Sequence, residues 1–183
     1  MRKFARVFKF AAVPAIALLA ACGDVGSDNA TLTESTGNTS ASVAAAKFKV
    51  GNTVNFETFE VTVKSVEKRN SVGSQYGKQD VADGGIFVAI TYTVKNTGKK
   101  AIGMFDGPTL KLIDPSGTAY EPDLGASVMF SLQKDFNSKG VSNLNPGIKV
   151  NDGKVWEVSK DQFDLATWKV ILDGHEDSPI SLN

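Results

Sequence analysis

Cysteine and histidine are almost missing from this sequence. Its 183 residues include one Cys and one His. A single Cys excludes an intramolecular disulfide and any multi-cysteine metal site. A single His excludes the two-histidine metal motifs and leaves little for acid–base chemistry near neutral pH. An excess of one charge is missing too, since 20 Lys+Arg stand against 20 Asp+Glu. Without a basic stripe to displace counterions from phosphates, nucleic acid is not an expected partner. No apolar run reaches the roughly 20 residues that cross a bilayer as a helix. What remains is ordinary globular composition, 42% hydrophobic and 22% charged, which suits one domain with an appendage.

The basic residues are unevenly placed. Arg2, Lys3, Arg6 and Lys9 fall at the start, and the next is Lys47. Between them runs Phe10-Ala-Ala-Val-Pro-Ala-Ile-Ala-Leu-Leu-Ala-Ala21, apolar, without amphipathic period and too short to span a membrane. A basic start, a short apolar stretch and small residues before a boundary are the parts of a secretory signal peptide. The boundary Leu19-Ala20-Ala21-Cys22-Gly23 resembles the bacterial lipobox, and the chain's one Cys stands at the position that pattern requires. The resemblance implies cleavage between Ala21 and Cys22 and a diacylglycerol thioether on Cys22. Each buried methylene contributes about 0.8 kcal/mol, and two or more chains anchor stably. The expected partner of Cys22 is therefore a lipid bilayer. The domain is expected on the extracytoplasmic side of a bacterial cell membrane, with an outer membrane as the alternative site. Loss of the four leading cations leaves 16 basic against 20 acidic residues, a net of about −4, which gives no attraction to anionic lipid.

Residues 1–21 thus read as a signal peptide and 22–46 as a lipidated Cys with a flexible tether. From Gly23 to Ala46 there is no aromatic residue, Lys or Arg, only Ser, Thr, Gly, Asn, Asp, Glu, Ala and scattered aliphatics. Such a segment does not bury enough apolar surface to offset its ordering entropy, and its root-mean-square reach is about 27 Å.

From Lys47 the pattern changes to period two. Phe59, Val61 and Val63 alternate with Glu60, Thr62 and Lys64. Ile86, Val88, Ile90, Tyr92 and Val94 form one apolar face, while Phe87 and Ala89 share the other with Thr91, Thr93 and Lys95. Shorter alternations surround Leu110 and Leu112, Trp156 and Val158, and Trp168, Val170 and Leu172. Turn signals separate them at Asn96-Thr-Gly98, Asp114-Pro-Ser-Gly117, Asn145-Pro-Gly147 and Asn151-Asp-Gly153, the last suited to a tight primed hairpin. Residues 160–165 offer one helical turn at most. The expected fold of 47–183 is all-β, an antiparallel immunoglobulin-like β-sandwich.

Three stretches carry a family resemblance. They are Gly51-Asn-Thr-Val54 leading into Phe59–Val66, Phe87–Ile102 with its Asn96-Thr-Gly98 ending, and Leu144-Asn-Pro-Gly147 followed by Gly153–Val158. Together they resemble the telokin-like, immunoglobulin-like domain of unknown function found on bacterial lipoproteins, with mycobacterial secreted antigens as distant relatives. The resemblance implies a fold and a location. It implies no catalytic residue and no cofactor.

Candidate chemistry is sparse. No Gly-x-Ser-x-Gly elbow occurs, and His175 in Asp173-Gly-His-Glu-Asp177 reads as an exposed tail residue. The acidic loops at 80–83 and 121–123 lack the dense oxygen spacing of a calcium loop. Neither a metal nor an enzyme activity is expected. Two long connections, 69–85 and 123–143, are the expected carriers of recognition, because long loops on a sandwich are usually functional. The candidate partner-binding residues on them are Tyr76, Lys78, Phe130 and Phe136, and covering an open end of the core is the competing role for the two phenylalanines. The expected function is a membrane-anchored, non-enzymatic interaction module for an envelope protein or cell-wall partner. The alternative is a lipoprotein that binds a small ligand or metal ion.

Overall fold

A computed structural model describes residues 45–75, 77–103, 106–136 and 143–183. The expectations for residues 1–44, including Ala21 and Cys22, and for Tyr76 lie outside the described residues.

The longest alternations of the sequence become the longest strands. β3 (Phe59–Arg69) pairs antiparallel with β6 (Gly85–Asn96), which pairs antiparallel with β9 (Lys149–Ser159). β2 (Thr53–Asn55) completes a four-stranded sheet of order β2-β3-β6-β9. A five-stranded sheet faces it. It comprises β1 (Phe48–Lys49), β11 (His175–Ser181), β10 (Lys169–Leu172), β7 (Leu110–Ile113) and β8 (Ala119–Tyr120), in that spatial order. The result is a β-sandwich, antiparallel except where β1 runs parallel to β11.

Period two explains the core directly. Val61 and Val63 of β3, Ile86 to Val94 at even positions of β6, and Trp156 and Val158 of β9 face Leu110, Leu112, Val170, Leu172 and Ile180. Both indoles are buried with their N–H groups satisfied, Trp156 by the carbonyl of Tyr120 at 2.9 Å and Trp168 by that of Gln162 at 3.0 Å, as burial of a polar tip requires. In β3 the parity of the apolar positions changes after Val63. The register slips there, so Lys64 is an extra residue opposite β6 and Val66 returns to the core side.

Three expectations are corrected. First, 123–143 is not simply a loop, because α1 (Leu124–Gln133) forms there. Asp123 caps it, its Oδ1 accepting the Ala126 N–H at 2.8 Å, and Ala126, Ser127, Phe130 and Ser131 make its buried face. Second, 69–85 contains a hairpin of β4 (Ser71–Ser74) and β5 (Gly77–Asp80). Third, Asn151-Asp-Gly153 is no hairpin turn and lies inside β9. Its glycine answers to packing, since a Cβ on Gly153 would stand 2.7 Å from Cδ1 of Phe130. Residues 160–162 do form a turn.

α1 and the β4–β5 hairpin make a third layer on the outer side of the four-stranded sheet. Phe87 and Ala89 of β6 and Val155 of β9 point that way and are buried under Val72, Ala126 and Phe130. The helix C-terminus is fixed to β3 through Glu67. Glu67 binds Lys134 at 2.8 Å and Arg69 at 2.7 Å, and both cations lie over the Phe130 ring.

His175 opens β11 instead of trailing from the domain. It is half-buried, with its ring 4.5 Å from that of Phe56.

Candidate functional site

β9 is an edge strand, with β6 on one side only. Which of its backbone groups face outward follows from its hydrogen bonds. Lys160 donates to the carbonyl of Gly84 and Asn96 to that of Ile148, so even-numbered residues face β6. Odd-numbered residues turn their N–H and C=O to the free edge, which invites pairing by another chain.

α1 covers part of that edge. The Val155 N–H donates to Ser127 Oγ at 2.9 Å, and its carbonyl accepts from the Asp123 N–H at 2.8 Å. Ser131 Oγ donates to the carbonyl of Gly153 at 3.3 Å, while the Gly153 N–H turns to Asp152 Oδ1 at 2.7 Å. The buried serines of the helix thus stand in for a neighbouring strand. Beyond Gly153 the cover ends. The outward backbone groups of Asn151 and Lys149 have no partner among the described residues.

A cavity of about 470 Å³ opens along this stretch, bounded by β9, α1 and residues 102–103, 107–109, 143–144 and 148. Val94, Ile102, Leu144 and Val150 supply apolar lining from the sandwich side, and Leu124 and Val128 from the helix. Leu124 is 78% exposed, Val128 47% and Ile148 46%. These are large apolar side chains that the domain itself leaves uncovered at one place. Tyr92 adds a buried hydroxyl, donating to Asp152 Oδ2 at 2.6 Å. Burial, then the charge of Asp152, holds the phenol well above its ordinary pKa. Lys154 lies 3.4 Å from the same carboxylate oxygen. This charge group is internally matched and shapes the wall.

One end of the groove is built by Asn96, whose side chain is fully buried. Its Nδ2 donates to the carbonyls of Lys100 and Leu144, both at 2.7 Å, and its Oδ1 accepts from the Gly98 N–H at 2.9 Å. The Asn-Thr-Gly signal therefore does more than end a strand. It ties 96–100 to 144, where Ile102 and Leu144 form a two-way backbone bridge.

Of the candidate partner-binding residues that are among the described ones, Phe136 alone reaches the groove, half-buried and edge-to-face on Phe130 at 6.3 Å. Phe130 is corrected: its relative exposure is 0%, so it packs α1 on the sheet and presents nothing to a partner. Lys78 sits on β5, paired with Asp80 at 2.7 Å, and does not line the cavity. Leu124, Val128, Ile148 and Asn151 escape the sequence reading. Their signal was available in Phe87, Ala89 and Val155, apolar residues on a face that a simple sandwich leaves wet and that therefore needs a cover.

The acidic loops have structural duties. Asp123 caps α1, Asp80 pairs with Lys78, and Glu121 with Lys111 at 3.0 Å. Among the described residues no group of three or more His, Cys, Asp or Glu is placed to hold a metal ion.

Known proteins agree with this architecture. Residues 48–168 match the model of a domain of unknown function, DUF4352. The uncharacterized protein YxkC of Bacillus subtilis is 46% identical over 124 residues, covering 67% of this chain and 69% of that protein. A conserved hypothetical protein from Bacillus anthracis, solved as a crystal structure, superposes with a TM-score of 0.63 at 28% identity over 69% of this chain and 90% of its own. A β-sandwich protein from Clostridium difficile gives a TM-score of 0.49 at 16% identity, covering 75% of this chain and 94% of that one. Of the resemblance in the sequence, the bacterial domain of unknown function is what these matches carry: the chain belongs to the DUF4352 family.

Proposed function

We propose that this chain is a membrane-anchored extracytoplasmic lipoprotein and that its sandwich is a non-enzymatic binding module, with the groove along β9 as the receiving surface. The observation that carries the binding role is the convergence of exposed Leu124, Val128 and Ile148 on one cavity of about 470 Å³. A concave site of that size with clustered apolar lining is the usual form of a recognition pocket. Placement supports it. β1 and β2, through which the chain enters the domain, lie at the sheet edges remote from β8 and β9.

Anchoring rests on the lipobox at Cys22, the basic start before it and the polar segment after it. Among the described residues no helix is long and apolar enough to cross a membrane, so the lipid is the proposed attachment. Two measurements test the reading. Cys22→Ser is expected to abolish incorporation of labelled palmitate and release the chain from membranes, and retained label refutes the anchor. A photo-crosslinking residue at Val128 is expected to trap a discrete partner in cells that the same residue at exposed Asp161 does not trap. Equal, scattered links from both positions refute the groove as the receiving surface.

A further inference from the structure

The groove is more than an apolar hollow, because one wall is an unfinished sheet. Outward N–H and C=O groups at Lys149 and Asn151 lack partners among the described residues, while those at Gly153 and Val155 are answered by α1 and its cap. Two such residues, spaced two apart on a strand, present donors and acceptors about 7 Å apart. Only an extended backbone matches that repeat with both a donor and an acceptor at each step. Side chains of an added strand alternate, one set toward Val94, Leu144 and Val150 between the sheets, the other toward Val128 on the helix. The helix serines close the far end, so the added strand is short.

Charge narrows the occupant further. Lys149 lies opposite Lys95 in the β6–β9 ladder, and Lys99 and Lys100 belong to the corner that Asn96 holds. Lys95 has Glu60 at 3.4 Å. Lys99, Lys100 and Lys149 are exposed and have no carboxylate partner among the described residues. The open end of the groove is thus basic on a domain with an acidic surplus elsewhere.

We propose that the groove binds an extended peptide by strand addition to Lys149 and Asn151, with apolar side chains at alternate positions and carboxylates at the end beside Lys99, Lys100 and Lys149. The proposal rests on the groove being the receiving surface and names its occupant. Backbone pairing supplies affinity that is tolerant of sequence, and the alternating pockets supply selectivity.

The test uses the full-length chain against a displayed library of random linear heptapeptides, followed by hydrogen exchange on the complexes. Enrichment of acidic residues next to alternating apolar ones is expected, with slowed exchange at the amides of Lys149 and Asn151. Asn151→Pro removes an outward N–H without breaking the β6 ladder, as edge positions tolerate. It is expected to weaken binding about tenfold while thermal stability holds. Val128→Asp is expected to weaken binding as well. Peptides that lose affinity in Val128→Asp but not in Asn151→Pro overturn strand addition and leave the groove reading standing. Binding unaffected by both variants, with protection elsewhere, overturns both. No enriched peptide overturns the peptide as occupant, as does slowed exchange at Lys149 and Asn151 that depends on chain concentration alone, which assigns the edge to a second copy.

Discussion

The contact between Gly153 and Phe130 decides whether α1 lies flat on the sheet, and it yields a quantitative prediction. Gly153 carries ordinary negative φ, since it is absent from the positive-φ glycines. On backbone grounds alone Gly153→Ala should therefore stabilise a strand interior by roughly 0.5–1 kcal/mol. The structure reverses that sign. The added Cβ stands 2.7 Å and 2.8 Å from Cδ1 and Cε1 of Phe130, with Cε2 of Phe136 at 3.3 Å. Phe130 is fully buried and its ring lies beneath the Arg69 and Lys134 cations, so it has little room to yield. Overpacking of this kind costs about 1–3 kcal/mol. Phe130→Leu removes the ring edge that meets the methyl group and costs about 1–1.5 kcal/mol through lost packing. The two changes share one contact, so their effects should not add. In the Phe130→Leu background, Gly153→Ala is expected to lose most of its cost, leaving a coupling of about 1 kcal/mol or more. Urea unfolding of the four full-length chains, followed by tryptophan fluorescence, reads this from the midpoints at constant slope. Additive costs within about 0.3 kcal/mol refute the claim that Gly153 is small because Phe130 needs the space.

Three further predictions concern the frame of the groove. Asp123→Ala removes the cap of α1 and should cost about 1 kcal/mol, read as a lower melting temperature with faster exchange at Ala126. Asn96→Ala takes the side-chain donor from the carbonyls of Lys100 and Leu144, of which Leu144 keeps the Ile102 N–H, at about 1–3 kcal/mol, and exchange at the bridged amides of Ile102 and Leu144 should quicken before that of β6. The Glu67 carboxyl is held below its ordinary 4.5, first by the hydrogen bond from Lys134, against a smaller opposing effect of burial, with the Lys134 and Arg69 charges adding to the lowering. A depressed folded pKa gives stability that is present above 4.5 and lost as pH falls through the folded value. The stability gap between the natural chain and Glu67→Gln should therefore be constant near neutrality and shrink in acid, and a gap that persists at the lowest pH refutes the assignment.

The sandwich was legible in the sequence because its strands are buried on one face and wet on the other. Val61 with Val63, the even positions of β6, and Trp156 with Val158 all fall where period two places them. Three features were not legible for reasons that can be named. The helix is short, and its outward positions Leu124, Val128 and Leu132 are apolar like part of its inward face. It therefore lacks the polar stripe by which an amphipathic helix is recognised. Gly153 imitates a turn because the same residue serves both positive φ and close approach. The cover over Phe87, Ala89 and Val155 comes from residues distant in sequence, so period two showed that a face was apolar but not what closed it.

That same cover explains why the groove meets open backbone at Asn151 and Lys149 and not at Gly153 and Val155. A free edge strand is a liability, and the usual remedies are charge, a bulge or a helix laid across it. Here the helix protects Gly153 and Val155 with Ser131, Ser127 and the Asp123 backbone. Had α1 continued toward Lys149, the outward groups there would be answered as those of Gly153 and Val155 are. Had it been absent, the whole of β9 and the Phe87–Ala89 face would be open to indiscriminate pairing. Asp123 at one end and the Glu67 ion pairs at the other fix where the cover begins and stops. Because the covered part is held by a packed Phe130 and satisfied hydrogen bonds, the uncovered part keeps its shape before anything binds. Little ordering is then left to oppose association. A variant that loosens α1 without touching Lys149 or Asn151, such as Asp123→Ala, should consequently weaken peptide binding through a slower on-rate or a lost helix wall, while the amides protected by the bound strand stay the same. A change in which amides are protected would show instead that the helix chooses the site rather than merely bounding it.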